Sequence, residues 1–223
     1  MITVSANWKA RYPDVCFGVL AMERIDNTGK CPALEERKDA LEQSLRTRYA
    51  GKSRKEIGAE HPFAAYGRYY KAFGKSYHVL FQVETVALKE KPIVSPSPLV
   101  AAMFITELHT GLLTAGHDLD RIAPPFLLDV AKGGETFTSL GGTQRTLLPE
   151  DMFFSDRNGT LSSVIYGPDD GSAITSATSR ALFTVYGAPS ISAGEVRAHL
   201  EEIEQLVRIL NPGAARRELA VFE

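Results

Sequence analysis

A histidine followed directly by an aspartate, His117-Asp118, is the first candidate for chemistry in this sequence. A carboxylate beside a histidine is a common acid–base arrangement, because the carboxylate can orient the imidazole ring. Adjacent residues of an extended segment point to opposite sides, however, which favours a role in loop packing for the pair. Glu107, earlier in the same region, is the second candidate, either as a surface acid or as a carboxylate inside a pocket.

Established catalytic and cofactor motifs do not occur in the chain. The sequence contains no GxxxxGK[ST] phosphate loop, no GxGxxG dinucleotide fingerprint, no HExxH zinc helix and no GxSxG nucleophile elbow. The five histidines lack the spacing of metal ligands. Asp169-Asp170-Gly171 is most simply a turn, although a metal-binding loop is the alternative. We therefore predict no metal site and no cofactor.

The segment that carries Glu107 and His117 predicts a buried helix that leads into a polar corner. Ser97 can cap the helix, and Pro98 is tolerated at the first helical position because its missing N–H would be unpaired there. Gly111 can close the helix in a left-handed conformation. An extended piece over 112–116 then leads into the sequence HDLDRI. Such a junction of apolar and polar elements favours a small-molecule pocket.

The remaining pattern predicts an α+β protein. The apolar run 14–22 is typical of a central strand covered on both faces. Helices are predicted from residue 32, over 61–74 and 82–89, and from the capping box that begins at residue 192. Short extended runs separated by Gly-Gly and Asn-Gly turns predict a mostly antiparallel sheet in the second half. No linker divides the sequence, so we expect one domain over 1–223, whose tail 211–223 either docks or frays.

Positive charge is concentrated in two stretches of the sequence. The first stretch, within residues 46–55, is either a solvated helix end or a patch that contacts phosphates. The second flanks a row of aromatic residues on the helix 61–74, which indicates either core packing or a base-stacking platform. The residues are Arg46, Arg48, Lys52, Arg54 and Lys55 in the first stretch and Arg68, Lys71 and Lys75 in the second.

The overall composition narrows the functional classes. With 44% hydrophobic and 23% charged residues and a formal net charge of -2, the chain is an ordinary globular sequence. The charge argues against a non-specific polyanion binder but allows a local basic patch. No apolar run approaches the roughly 18 residues of a membrane span, and the N-terminal residues have no apolar signal core. We therefore expect a cytoplasmic protein.

The order of the segments resembles the free-standing B-three/B-four domain proteins, which are similar to the tRNA-editing domain of the phenylalanyl-tRNA synthetase beta subunit. The segments are AYGRYYKAFG, SPLV…GLLTAGHDLDRI, AKGGETFTSLGG, SDRNG and ITSATSRALFTVYG, spread from about Pro13 to about Leu210. The resemblance implies a three-layer α+β sandwich with a mostly antiparallel sheet and flanking helices.

The resemblance also implies a substrate and a site. The synthetase domain hydrolyses tyrosine wrongly attached to phenylalanine tRNA, which implies tRNA as the partner here, with neither membrane nor DNA, and hydrolysis of an aminoacyl ester at its 3′ end. Such hydrolysis needs a positioned water and oxyanion donors but no covalent nucleophile. The implied site wall consists of Phe104, Glu107, Gly116, His117 and Gly167, with Thr175 and Thr184 across the cleft.

Several polar residues of the family pattern are replaced in this sequence. The family pattern has an acid near Ala101, an asparagine at Phe104 and a proline near Leu113. The synthetase has a histidine at Ala115 and a glutamate at Thr184. These replacements indicate a pocket that binds a more apolar group or that no longer hydrolyses, with Glu107 as the replacement acid.

Two hypotheses follow from the sequence. The first is an aminoacyl-tRNA deacylase in which Glu107 or His117 orients water and the two basic stretches hold tRNA phosphates. The second is a non-catalytic protein that kept the cleft to bind tRNA or a free small molecule. We expect no ligase activity, because the chain has no room for an ATP-binding synthetase domain.

Overall fold

The computed structural model describes residues 2–223. The seven helices in this range are α1 (Ala6–Arg11), α2 (Pro32–Tyr49), α3 (Arg54–Ala59), α4 (Phe63–Ala72), α5 (His78–Ala87), α6 (Pro98–Thr110) and α7 (Ala193–Leu210). The eleven strands in it are β1 (Ile2–Val4), β2 (Phe17–Glu23), β3 (Leu113–Asp118), β4 (Phe126–Val130), β5 (Thr136–Ser139), β6 (Thr143–Thr146), β7 (Met152–Asp156), β8 (Gly159–Ser163), β9 (Gly167–Pro168), β10 (Arg180–Tyr186) and β11 (Ala215–Phe222).

The strands form two sheets and a separate hairpin. One sheet has four strands in the order β11-β2-β10-β3, and the other has five in the order β1-β4-β7-β8-β9. β5 and β6 form the hairpin. Within residues 2–223, β1 and β4 are the one parallel pair of neighbouring strands. The predicted α+β class is therefore confirmed, and the sheet is mostly antiparallel, as the sequence indicated.

The two faces of the four-stranded sheet are covered by different layers. On β2, Gly18 faces α7 so closely that an added Cβ would lie 2.4 Å from Val196. The neighbouring Phe17 points the other way and packs against Phe154 of the five-stranded sheet, with ring centroids 5.3 Å apart. Successive side chains of a strand alternate between faces, so β2 is buried on both sides. The resulting order of layers is helices, four-stranded sheet and five-stranded sheet.

Helix α6 begins and ends where the sequence predicted. Its N-cap Ser97 accepts a hydrogen bond from the backbone N–H of Val100, and Gly111 closes the helix with φ = 75°. A second residue contributes to the start of the helix, since the buried Asn27 accepts from the N–H of Leu99 at 2.8 Å. The predicted wall residues Phe104 and Glu107 thus lie on a helix that is capped at both ends.

Some elements differ from the sequence interpretation. Helix α5 begins at His78, one turn before the predicted start at Gln82. The segment 54–59, for which no helix was predicted, is the short helix α3, which has a capping box formed by Ser53 and Glu56. The tail does not fray, because residues 215–222 form β11 and pair with β2.

Candidate functional site

A cavity of about 300 Å³ lies between α5, α6, β3 and the segment that follows β9. Its volume is at the lower end of the range of small-molecule sites. Four polar residues line it, namely His78, Gln82, Glu107 and Thr114. Most of the remaining wall is apolar and includes Val100, Met103, Phe104, Leu140, Pro168 and Ile174. The site therefore offers a large apolar surface with a few polar groups on α5, α6 and β3.

Glu107 is a buried pocket carboxylate rather than a surface acid. It lies in the last turn of α6 and is 3% exposed. Its Oε1 accepts a hydrogen bond from the backbone N–H of Thr114 at 2.9 Å. Burial raises the pKa of Glu107 from an ordinary value of 4.5 to about 8, although the Thr114 hydrogen bond opposes the shift. The carboxyl group is therefore mostly protonated at neutral pH.

The two polar residues contributed by α5, His78 and Gln82, were not predicted from the sequence. They are one helical turn apart and therefore share a face of α5. Burial lowers the pKa of His78, so its ring is neutral at pH 7. Within residues 2–223, the buried Oε1 of Gln82 has no hydrogen-bond partner. The separation of His78 and Gln82 by four residues could have indicated a shared helix face. The predicted helix, however, began at Gln82 and therefore did not include His78.

Gly116 allows two walls of the cavity to approach each other. A Cβ at this position would lie 2.7 Å from Ile174 Cδ1 and 3.2 Å from Met103 Sδ. A real Cβ essentially never comes within 3.0 Å of another heavy atom, so a larger residue would displace the Ile174 wall. Phe104, the other predicted wall residue on this side, is half-buried and lines the same cavity.

His117 lies on β3 between Gly116 and Asp118 but does not line the cavity. Its side chain is fully buried, and Nδ1 is 2.7 Å from Ser172 Oγ and 3.7 Å from Asp169 Oδ1. In a serine–histidine–aspartate triad the serine and the carboxylate use different ring nitrogens. Here both groups lie at Nδ1, and within residues 2–223 the buried Nε2 has no partner. The arrangement is therefore that of a structural histidine rather than a triad.

Thr175 and Thr184, predicted for the far side of the cleft, and Gly167, predicted for its wall, lie beside the cavity rather than in its lining. Thr184 is fully buried in β10, and its hydroxyl donates to the carbonyl oxygen of Ala115 at 3.5 Å. Thr175 donates its backbone N–H to Thr178 Oγ1 at 2.9 Å. Gly167 directly precedes the wall residue Pro168. Of the seven residues that the resemblance implied, Phe104, Glu107 and Gly116 line the cavity, whereas His117, Gly167, Thr175 and Thr184 do not.

A buried histidine on α7 supports the cavity from behind. His199 Nδ1 is 2.7 Å from Thr110 Oγ1, and its Nε2 is 2.7 Å from Thr114 Oγ1. Burial lowers the pKa of His199 to about 3, so the ring stays neutral. Because the N–H of Thr114 binds Glu107, this histidine holds the strand that orients the acid. No local sequence pattern indicates this role, since these residues are far apart along the chain.

The first basic stretch is largely paired with acids. Lys52 and Arg48 both contact Glu60, and the Arg48 nitrogen lies 3.4 Å from it. Arg46 pairs with Glu42 at 3.0 Å. Arg54 pairs with Glu84 at 3.6 Å and stacks over the ring of Phe81. Lys55 is exposed. The surface is therefore less positive than its lysine and arginine content suggested.

The second basic stretch lies on the outer side of α4. Arg68 donates to Ser190 Oγ at 3.3 Å, and Lys75 lies 5.9 Å from the centroid of the Tyr166 ring. Lys71 is exposed. Three of the four aromatic residues beside them are core residues, as shown by Phe63, Tyr66 and Tyr70, each at most 3% exposed. The aromatic row therefore packs the core and offers no base-stacking platform.

None of the helices found between residues 2 and 223 has the length and apolar character required to cross a membrane.

Comparison with curated proteins gives no match. Among solved structures, the chain is similar to an N-terminal fragment of the phenylalanyl-tRNA synthetase beta subunit from Pyrococcus horikoshii, with 12% identity and a TM-score of 0.48. The similarity covers 98% of this chain and 54% of the fragment, so this chain spans about half the length of that structure.

A sequence model of the B3/4 domain matches residues 65–206. These residues extend from α4 to near the end of α7 and contain Glu107 and every other residue of the cavity wall. The match confirms the family resemblance that the order of the segments predicted. Because it covers more than half of the chain, the protein belongs to the B3/4 domain family.

Proposed function

We propose that the protein binds tRNA and hydrolyses the ester of a mischarged aminoacyl-tRNA in the cavity beside α6. The observation that carries the proposal is Glu107, a buried acid at the wall of an apolar cavity in a B3/4 domain. The family resemblance supports tRNA as the partner. The apolar wall supports an amino acid without a charged side chain as the group that enters.

Glu107 is the proposed general base of the reaction. The ionised form of Glu107 takes a proton from water, the water oxygen bonds to the ester carbonyl carbon, and the bond to the 3′ oxygen breaks. The proton then passes to the leaving 3′ oxygen. A base works best when its pKa is close to the working pH, and burial raises the pKa of Glu107 to about 8. The ratio kcat/KM, which reports the state of the free protein, should therefore rise between pH 6 and 8, as the ionised fraction of Glu107 grows.

The roles of the other predicted residues follow from their positions. We assign Phe104 and Gly116 to the wall that contacts the amino acid, together with Gln82 and His78. His117, Gly167, Thr175 and Thr184 would position the wall without touching the substrate. Lys55, Arg68, Lys71 and Lys75 are exposed and are the most accessible candidates for tRNA phosphates. Arg46, Arg48, Lys52 and Arg54 would have to exchange an acidic partner for a phosphate, which weakens their contribution.

The second candidate function is binding without hydrolysis. It is favoured by the residues that replace polar groups of the family pattern, because Ala101 and Ala115 are buried and offer no side chain that could bind water. Under this hypothesis the cavity holds an aminoacyl group or a free small molecule, and Glu107 provides a hydrogen bond instead of activating water.

Incubation of the purified protein with a panel of mischarged tRNAs tests the proposal. We expect deacylation of at least one tRNA carrying an apolar amino acid, and a loss of at least about 100-fold in Glu107→Gln, the size typical of a general base. Glu201→Gln, an exposed glutamate on α7, is the matched control. Equal activity of Glu107→Gln and wild type would exclude Glu107 as the base. Binding of tRNA without any deacylation would favour the second function.

A further inference from the structure

The charges that line the cavity set a condition on its ligand. Glu107 is the one acid among the described lining residues, which include neither lysine nor arginine. We propose that the cavity accepts a small apolar amine only when it carries no free carboxylate, so that an aminoacyl ester or amide binds and the free amino acid is excluded. This selectivity rests on the proposed function for its site, but binding of small molecules can be measured without RNA.

Two oxygen acceptors support the amine part of the ligand. The buried Oε1 of Gln82 has no partner in the described residues, which is costly for a buried polar atom. Glu107 uses Oε1 for the Thr114 N–H. Its second oxygen can receive a proton donor from the cavity side, because the residue lines that space. An ammonium group has three donors and no acceptor, and therefore matches the second oxygen of Glu107 and, once the Gln82 side chain turns toward the cavity, the unpartnered oxygen of that amide.

The same surroundings disfavour a carboxylate. A buried anion needs a cation or several hydrogen-bond donors to offset its lost hydration, and none of the described lining residues carries a positive charge. Burial lowers the pKa of His78, which leaves that ring neutral. A carboxylate would also lie near Glu107 and raise the cost of ionising it. Hydrolysis of an ester creates such a carboxylate, so the product would leave the site without competing with new substrate.

Burial raises the pKa of Glu107 to about 8, so the charge of this group changes near that pH. The other titratable groups that face it are Tyr66 and Tyr70 on α4, Tyr77 at the start of α5, and His78. Burial raises the pKa of all three tyrosines, so they stay neutral. His199, behind Thr114, is neutral because burial lowers its pKa to about 3. Binding of an ammonium group at pH 6.5 should therefore displace a proton from Glu107.

Calorimetry with matched small molecules tests the inference. The probes are L-leucinamide and L-phenylalaninamide, and the controls are free L-leucine and L-phenylalanine, all at pH 6.5. We expect at least one amide to bind and its free acid to bind at least about 10-fold more weakly, because a buried unpaired charge is costly. Titrations in two buffers of different ionisation enthalpy should show release of about one proton on amide binding, since Glu107 is protonated in the free protein.

Variants separate the charge of Glu107 from its shape. Glu107→Gln should abolish proton release and weaken amide binding about 10-fold, whereas Glu201→Gln should change neither. Gln82→Met, which removes the other acceptor, should weaken amide binding but keep proton release, and it provides a test if Glu107→Gln does not fold. Equal affinity for amide and free acid, binding without proton release, or no binding of either amide would each overturn the inference.

The two natural sources of such a ligand are distinguished by competition. An aminoacyl-tRNA that displaces the amide, while the same uncharged tRNA does not, identifies the ester on RNA as the source. Amide binding by a protein that has no affinity for tRNA identifies a free small amine instead. In that case the selectivity stands and the proposed function on tRNA fails.

Discussion

The buried Glu107 makes the stability of the protein depend on pH in a way that one substitution should remove. Its pKa is about 8 in the folded chain and 4.5 ordinarily, so the folded state binds one more proton than the unfolded state between these values. Below pH 4.5 Glu107 is protonated in both states, and the stability of the folded state is not reduced. As the pH rises toward 8, the unfolded state gains the ionised form first, so the free energy of unfolding falls. Glutamine cannot ionise, so Glu107→Gln should not show this loss.

The size of the effect follows from the pKa difference. At pH 5 the folding cost of Glu107 is below about 1 kcal/mol, at pH 7 it is about 3 kcal/mol, and above pH 8 it reaches about 5 kcal/mol as an upper bound. Glutamine keeps an oxygen that can accept from the Thr114 N–H, so the variant should lose little at pH 5. Removing the folding cost of Glu107 above pH 7 would therefore be a large gain for a protein whose total stability is about 5–15 kcal/mol.

Urea denaturation of wild type and Glu107→Gln at pH 5 and pH 8 measures the effect. The variant should have nearly the same free energy of unfolding as wild type at pH 5 and be more stable by a few kcal/mol at pH 8. Glu201→Gln should show no such pH dependence, because Glu201 is exposed. A difference between Glu107→Gln and wild type that is the same at both pH values would refute the buried, protonated state of Glu107.

Three further predictions concern a buried hydrogen bond of the core, the cavity wall and the RNA contact. Tyr69→Phe removes a hydroxyl that donates to the buried Asp151 at 2.8 Å, and should lower the free energy of unfolding by about 1–3 kcal/mol in urea denaturation. Gly116→Ala places a Cβ 2.7 Å from Ile174 Cδ1, the far end of a side chain that can move, and should therefore lower stability by only about 1 kcal/mol but reduce amide binding in calorimetry. Affinity for tRNA, measured by filter binding, should fall steeply with salt, and Lys55→Glu should weaken it and reduce the salt slope.

Elements specified by local chemistry were predictable from the sequence. The start and end of α6 follow from Ser97, Pro98 and Gly111, whose effects act within one helical turn. The capping box at Ser192 located α7 for the same reason. Helix α5 was misplaced because its N-cap, Tyr77, makes no side-chain capping bond and therefore leaves no sequence signal.

The chemical state of the site depends on contacts that no local pattern contains. Glu107 was equally compatible with solvent and with a pocket, since its burial depends on β3 folding back over α6 and on His199 holding Thr114. The positive charge of the first basic stretch was overestimated, because its partners Glu60 and Glu84 come later in the chain. Family resemblance located the segments of the cleft, but the alternation of side chains along β3 decided that Gly116 rather than His117 lines it.

The strand β11 forms an edge of the four-stranded sheet and therefore limits where the protein can be shortened. β11 occupies the outer edge of the four-stranded sheet, and its first half contains Arg216, Arg217 and Glu218 together with a bulge. Charges and bulges at an exposed edge discourage the addition of a strand from another molecule. A truncation before Ala215 would uncover the apolar strand β2, and the shortened protein would be prone to self-association through that edge.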